Sequence, residues 1–353
     1  MGLLEIAIDA KQMTGRPTGV GRVLEGVLEG LGRLEDPGVK VRSLGLGRGG
    51  GTLSWVQLAL PRHARGADVL HCPFYYRPIW SPCPVVVAIF DVLVVTHPEW
   101  FPPRGRHPFR ELLLWSAKHA AGVVTGSEHV LAELESLVGP LEERGFVVPL
   151  GVSSRRFFVR KPEASAKVCG RLGIRGPYLL SLGSLHPRRG LATALEALAL
   201  LLDRRPELKL VIAGKEEHRW GRIPAALAEH VVVTGYLPEE DLPPLMSGAS
   251  AMLSLSRGEG FDLPLLEALA CGTPVVASDI DVHREHFAEW ARMVPVGDAE
   301  AVASAVESIL RDPPALEARE GQAAAVHARF RWQDSARAHV EVWRRVARTG
   351  KRR

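Results

Sequence analysis

"SRGEGFDLPLLEALACGTPVV", Ser256–Val276, sets two glutamates, Glu259 and Glu267, around Gly260, Pro264 and a run of leucines. The stretch before it, "SAMLSLS", is short and apolar and reads as a buried strand ending near Ser256. Proline is favoured at the first helical position, so a helix is expected from about Pro264. A strand, a glycine turn and a helix in that order form the unit of a doubly wound α/β fold. The turn "RGEGFDL" presents backbone N–H groups at a helix N-terminus, which suits an anion such as a diphosphate. Gly260 lets backbone approach a ligand closely. Glu267 falls about one turn into the helix, where its carboxylate can accept two ribose hydroxyls. Glu259, in the turn, can meet sugar hydroxyls or a developing positive charge. The plain alternative is an exposed loop Glu259 and a snorkelling helical Glu267; the two together after a strand favour function.

The same alternation runs outward in both directions. Residues 3–10 read as a strand, followed by the glycine-rich "TGRPTGVGR" (Gly15, Gly19, Gly21) and an amphipathic helix. "DVLHCP" and "PVVVAIFDVL" read as buried strands, and "EHVLAELESLV" as a helix capped by Ser127. The polar stretch 160–177, with two prolines and several glycines, reads as a linker. A second series follows, from "YLLSLGS" to "DAEAVASAVESILRD", and 331–349 has apolar residues at helical spacing, with Trp343 and Val346 expected to bury. The division expected is 1–165, 166–330, and a final helix with a basic tail at 331–353. Ligands of open α/β sheets bind beyond the C-terminal strand ends, so chemistry is sought there.

In "SLGSLHPRRGL", a strand ends in Gly183 and a loop bearing Ser184, Arg188 and Arg189 enters a helix at Gly190. Arginine forks onto phosphate oxygens. One of the two arginines is expected to be a solvated loop charge; Arg189, next to Gly190, is assigned to the site, with Ser184 as an added donor. Asp91 and His71 end strands and are expected to project towards a cleft between the domains. An aspartate there is more often a turn cap.

Length and composition bound the rest. The 353 residues are 46% hydrophobic and 24% charged, enough for two cores, and a formal charge of +4 permits anionic partners without selecting one. Cys72, Cys83, Cys169 and Cys271 have no paired metal-ligand spacing and suit a reducing cytosol. The first residues read as a strand and not a signal peptide, and no apolar run approaches a membrane span. No Walker A loop, G-x-G-x-x-G, H-E-x-x-H or G-x-S-x-G occurs, which disfavours nicotinamide, zinc and serine-hydrolase chemistry.

"EGFDLPLLEALACGTPVVASD" resembles the E-x7-E signature of retaining nucleotide-sugar glycosyltransferases of family 4, which have the GT-B fold. "IAIDAKQMTGRPTGVGR", "ADVLHCPFYY", "SLGSLHPRRGL" and "VVTGYLPEEDLPPLMSGASAML" are similar to further segments of that family. The resemblance implies two Rossmann-like domains facing across a cleft, with a C-terminal helix crossing back. It implies transfer of a hexosyl unit, mannosyl among the candidates, from a nucleotide diphosphate sugar to a glycan or lipid-linked acceptor. Glu267 would hold the ribose. Glu259 and the backbone of Gly260, Phe261, Asp262 and Leu263 would contact the sugar and diphosphate. Arg189 would stand where many members have a phosphate-binding lysine, beside Ser184. Tyr236 and Leu237 would meet the base, and Gly19 would approach the diphosphate from the first domain. Arg189, Glu259 and Asp91 form the implied catalytic set. No metal and no cofactor beyond the sugar nucleotide is implied, no nucleic acid partner, and a cytoplasmic location, with peripheral contact at the inner membrane face left open. Phe90 stands where many members have histidine, and it alone supports an alternative, a catalytically impaired sugar-nucleotide binder. Another two-Rossmann enzyme, a nucleotide-sugar epimerase or a phosphorylase, is the remaining alternative.

Overall fold

The computed structural model describes residues 3–13, 19–34, 36, 38–45, 51–215 and 222–350. Two compact units emerge: residues up to Gly151 together with those from Phe330, and Val152–Arg329.

The first unit runs β1 (Leu4–Asp9), α1 (Gly19–Leu34), β2 (Val39–Leu44), α2 (Thr52–Ser54), α3 (Leu60–His63), β3 (Val69–Cys72), β4 (Val85–Ala88), α4 (Leu93–Thr96), α5 (Pro103–His119), β5 (Gly122–Thr125), α6 (Glu128–Val138) and β6 (Gly145–Val147). Its strands form one parallel sheet in the order β2-β1-β3-β4-β5-β6. β3 and the valine-rich β4 and β5 are buried along their whole length, as strands covered on both faces must be. Ser127 caps α6 as expected, accepting from Val130 N at 3.2 Å.

The second unit runs α7 (Pro162–Leu172), β7 (Tyr178–Leu182), α8 (Leu191–Leu202), β8 (Lys209–Ala213), β9 (Val231–Gly235), α9 (Leu242–Gly248), β10 (Ala251–Ser254), α10 (Leu263–Ala270), β11 (Val275–Ser278), α11 (Asp281–Phe287), β12 (Ala291–Val294), α12 (Ala299–Arg311) and α13 (Leu316–Arg329). Its parallel sheet has the order β12-β11-β10-β7-β8-β9. The stretch expected to be a linker instead holds α7. Pro162 sits in its first turn and Gly173 closes it in the left-handed conformation, so the proline and glycine punctuate a helix here.

The chain then returns to the first unit as α14 (Trp332–Gly350), which lies along α1. A side chain at Gly30 would run into the Trp332 carbonyl and come within 2.9 Å of Ala336 Cβ, so the two helices approach backbone to backbone. Trp343 and Val346 are buried, as their spacing predicts. Trp343 packs on His71 of β3, with ring centroids 5.6 Å apart, and His339 meets the same ring edge-on at 5.4 Å. His71 therefore does not project towards a cleft: β3 is a central strand, and α14 covers the face that His71 occupies. No helix among the described residues is long and apolar enough to cross a membrane.

Candidate functional site

In the second sheet the chain passes from β7 outward to β8 and β9, then returns to the other side of β7 as β10. β7 and β10 are thus neighbours where the winding reverses, pairing Ala251 with Leu179 and Met252 with Leu180. Loops leaving the C-terminal ends of such a pair diverge and leave room for a ligand. The two loops here are 183–190 and 255–262. They are stitched together: Arg257 N donates to Arg188 O at 2.8 Å, and Arg188 Nη1 donates to Gly258 O at 2.8 Å. Gly190, with φ of +66°, has Leu255 directly against it; a Cβ there would lie 2.8 Å from Leu255 Cβ and overlap the Leu255 carbonyl. Only glycine meets both demands.

Both arginines close on one carboxylate. Glu259 Oε1 lies 2.6 Å from Arg189 Nη1 and accepts from Ser256 Oγ at 2.7 Å, while its Oε2 lies 2.9 Å from Arg188 Nη1. The solvated role expected for one arginine is therefore not what the structure shows for Arg188. Glu259 is buried, so the plain alternative of an exposed loop residue does not hold. Arg189 Nε is also buried and has no hydrogen-bond partner among the described residues, which leaves one donor of the fork unused there.

Asp262 caps α10 from the left-handed region, with φ of 82°, accepting from Leu265 N at 3.4 Å. Aspartate tolerates that conformation through its short polar side chain. Its carboxylate also accepts from Ser254 Oγ, meets His283 Nε2 at 3.2 Å, and lies 3.8 Å from Arg189 Nη1. Burial works against its charge, but the His283 hydrogen bond, the charges of Arg189 and His283 and the Ser254 hydroxyl together hold the carboxyl well below its usual range. Burial likewise opposes a charged His283. Its bond to Asp262, the Asp262 charge, the Ser278 carbonyl and Glu259 outweigh this and raise its pKa.

Glu267 is buried on α10. Burial first, then the charge of Glu267, pushes the Cys271 thiol up to about 12, which fits a small inert core cysteine. Gly260 lies buried in the turn; Phe261 anchors it, its ring 4.6 Å from that of His286 and 5.6 Å from that of Phe287. Leu263 opens α10, and Ser184 is half-buried at the end of β7. Leu237 is buried and Tyr236 is 40% exposed just after β9. Two candidates belong to the first unit. Gly19 heads α1, and a Cβ added there would meet nothing within 4 Å; 14–18 of the same glycine-rich turn, Gly15 included, lie outside the described residues. Asp91 accepts from Tyr75 Oη and from Leu93 N at 3.1 Å, so it caps the turn into α4. No group of three His, Cys, Asp or Glu among the described residues can hold a metal ion.

The structure thus places Arg189, Glu259 and Asp262 in one contact network. Arg188, Ser254, Ser256 and His283 belong to it as well, without having been singled out. Ser254 and Ser256 are two apart on the strand end, so period-two alternation could have flagged them. Nothing local signals His283, 21 residues from Asp262.

Residues 172–326 match the family described as Glycosyl transferases group 1. O-antigen chain mannosyltransferase B of Escherichia coli is 26% identical over 284 residues, 78% of this chain and 74% of that protein. Phosphatidyl-myo-inositol mannosyltransferase of Mycobacterium leprae is 32% identical over 180 residues, 50% of this chain; the chain spans 48% of that relative. Sucrose-phosphate synthase from Thermosynechococcus elongatus superposes with a TM-score of 0.75 at 20% identity, over 97% of this chain and 99% of its own. HepE of Anabaena, solved in complex with UDP and glucose, gives 0.72 at 17% identity, over 96% and 98%.

Proposed function

We propose that the chain, a glycosyltransferase of the GT-B fold whose residues 172–326 match the glycosyl transferases group 1, moves a hexosyl unit, mannosyl by preference, from a nucleotide diphosphate sugar to a glycan or lipid-linked acceptor with retention of configuration. The observation that carries the reading is the cluster of Arg188, Arg189, Glu259 and Asp262 at the N-terminus of α10, at the switch point of the sheet.

In this reading the diphosphate lies over the turn 260–263, where the α10 dipole and the backbone N–H groups favour negative charge. Arg189 adds its unused Nε donor and its charge. Ser184 lies on the same loop as Arg189 and adds a hydroxyl. Glu267 takes the ribose hydroxyls, Tyr236 and Leu237 the base, and Glu259 the sugar. Gly19 and Asp91, carried by the resemblance, complete the proposed set. As the acceptor oxygen bonds to the anomeric carbon, the carbon–oxygen bond to the diphosphate breaks on the same face, and the acceptor proton passes to the leaving phosphate. Fixed donors aimed at the departing charge are the main source of acceleration in such a step. The names of the relatives support mannosyl, and the UDP and glucose held by HepE support a sugar nucleotide. A cytoplasmic enzyme is the setting we propose.

The test is release of nucleoside diphosphate from a panel of sugar donors. Turnover of at least one donor, lost in Glu259→Gln, is expected; silence across the panel would overturn the reading. Phe90, half-buried after β4 in the place of the usual histidine, supports a second reading, donor binding without turnover. Calorimetric binding with no product would select it.

A further inference from the structure

His283 lies outside the residues that the resemblance carries to this chain. It is fully buried on α11 and turns both ring nitrogens inward. Nδ1 is 2.8 Å from Ser278 O, and Nε2 is 3.2 Å from Asp262 Oδ2. A carbonyl oxygen can only accept, so Nδ1 donates. On the other side, a neutral ring would offer an acceptor to a carboxylate, which is also an acceptor. The clash is avoided only if Nε2 carries a second proton or if Asp262 is protonated. Four donor groups converge on Asp262: Ser254 Oγ, Leu265 N, His283 and, at 3.8 Å, Arg189. That surrounding favours the ionised carboxylate.

We propose that His283 is a positioning residue, held as an imidazolium that neutralises Asp262 and so leaves Arg189 free to serve the donor's diphosphate. The charge arithmetic is simple. Arg188 and Arg189 against Glu259 and Asp262 sum to zero, and the second proton on His283 makes the cluster +1. An incoming diphosphate meets that surplus. Without it, Arg189 must stay with two buried acids. This rests on the reading of the turn at α10 as the donor-phosphate site.

The charged groups acting on the ring are Asp262 from the turn and Glu259 behind it; Arg189, from the loop after β7, meets Asp262 at 3.8 Å. On α11 itself, Arg284 pairs outward with Asp279 and Asp281, and His286 lies by Glu285. The raised pKa of His283 sets the sign: the proton is present at low pH and lost as pH rises through the raised value, so diphosphate binding should weaken on the alkaline side.

Two measurements test this. Ring nitrogen NMR of the whole chain at pH 7.5 should show both His283 nitrogens protonated; a neutral single-proton ring overturns the inference. Calorimetry with GDP and UDP as probes should show His283→Gln binding on the order of tenfold more weakly, the scale of one unit charge across a protein site. Adding Asp262→Asn restores the net charge to +1, and asparagine suits both the cap and the left-handed backbone. The double variant should therefore recover to within about threefold of the parent, by the same charge argument. A double variant as weak as His283→Gln, or weaker, would mean a merely structural role and overturns the proposal. Tight binding by a parent whose ring is neutral sinks the inference and leaves the donor site standing. A protonated ring with no binding of either nucleotide sinks the donor site, and the positioning role with it.

Discussion

Arg189 Nη1 stands 2.6 Å from Glu259 Oε1, and the carbon of the same guanidinium would lie 3.2 Å from a Cβ at Gly183. The arginine is thus laid across the end of β7 with a strand-end glycine beneath it and the acid of the neighbouring loop at its tip. Loop 183–190 and turn 255–262 are one electrostatic object, and their separation would undo both.

Removing Arg189 leaves Glu259 with Arg188 alone and Asp262 with His283. Each buried acid thus keeps one cationic partner, so Arg189→Ala should cost about 1.5–3 kcal/mol of stability, the scale of a hydrogen bond to a charged group. Transfer should fall on the order of 100-fold, the effect of losing one fixed charge-stabilising group. Urea titration reads the first and nucleoside diphosphate release the second. Arg189→Lys keeps the charge without the fork and should fall between.

Gly190→Ala forces a side chain into the Leu255 carbonyl at a backbone angle that alanine resists. Strain and overlap together should cost about 2–4 kcal/mol, seen as a lower urea midpoint with an unchanged slope. Gly170→Ala, on α7 with nothing within 4 Å of the added Cβ, should stabilise slightly or do nothing.

Acid should loosen the first unit. Burial lowers the pKa of His339 to about 4, and burial followed by the His339 charge lowers that of His71 well below its usual value. Both lie below the unfolded value of about 6.5. The stability is therefore present above that value and is lost as pH falls through about 4. For His339 alone this amounts to about 2–3 kcal/mol between pH 7 and 4.5. His339→Leu should remove that share of the loss, measured as the difference in urea stability between the two pH values. An identical acid slope in the variant would contradict it.

Valine runs such as Val85–Val87 announce buried parallel strands because no solvent face imposes alternation. Pro264 marks the start of α10 to within a residue, because proline at the first turn is a local rule. The turn 256–263 is legible for the same reason: strand, glycine, acid and helix are contiguous. What escaped is non-local. α7 carries its own punctuation, but its composition also fits a linker, and packing against α9 decides the matter. His71 meets Trp343 from 272 residues away, and Asp262 meets His283 across two elements. Periodicity cannot pair such residues. Adjacency to Gly190 favours Arg189 over Arg188 in the sequence; the stitched loops engage both.

The most direct test is a crystal structure of the chain with GDP or UDP bound. The account predicts the diphosphate against the backbone of 260–263, with Arg189 turned from Glu259 to a phosphate oxygen and the ribose hydroxyls on Glu267. A nucleotide seated elsewhere, with Arg189 still closed on Glu259, would contradict it.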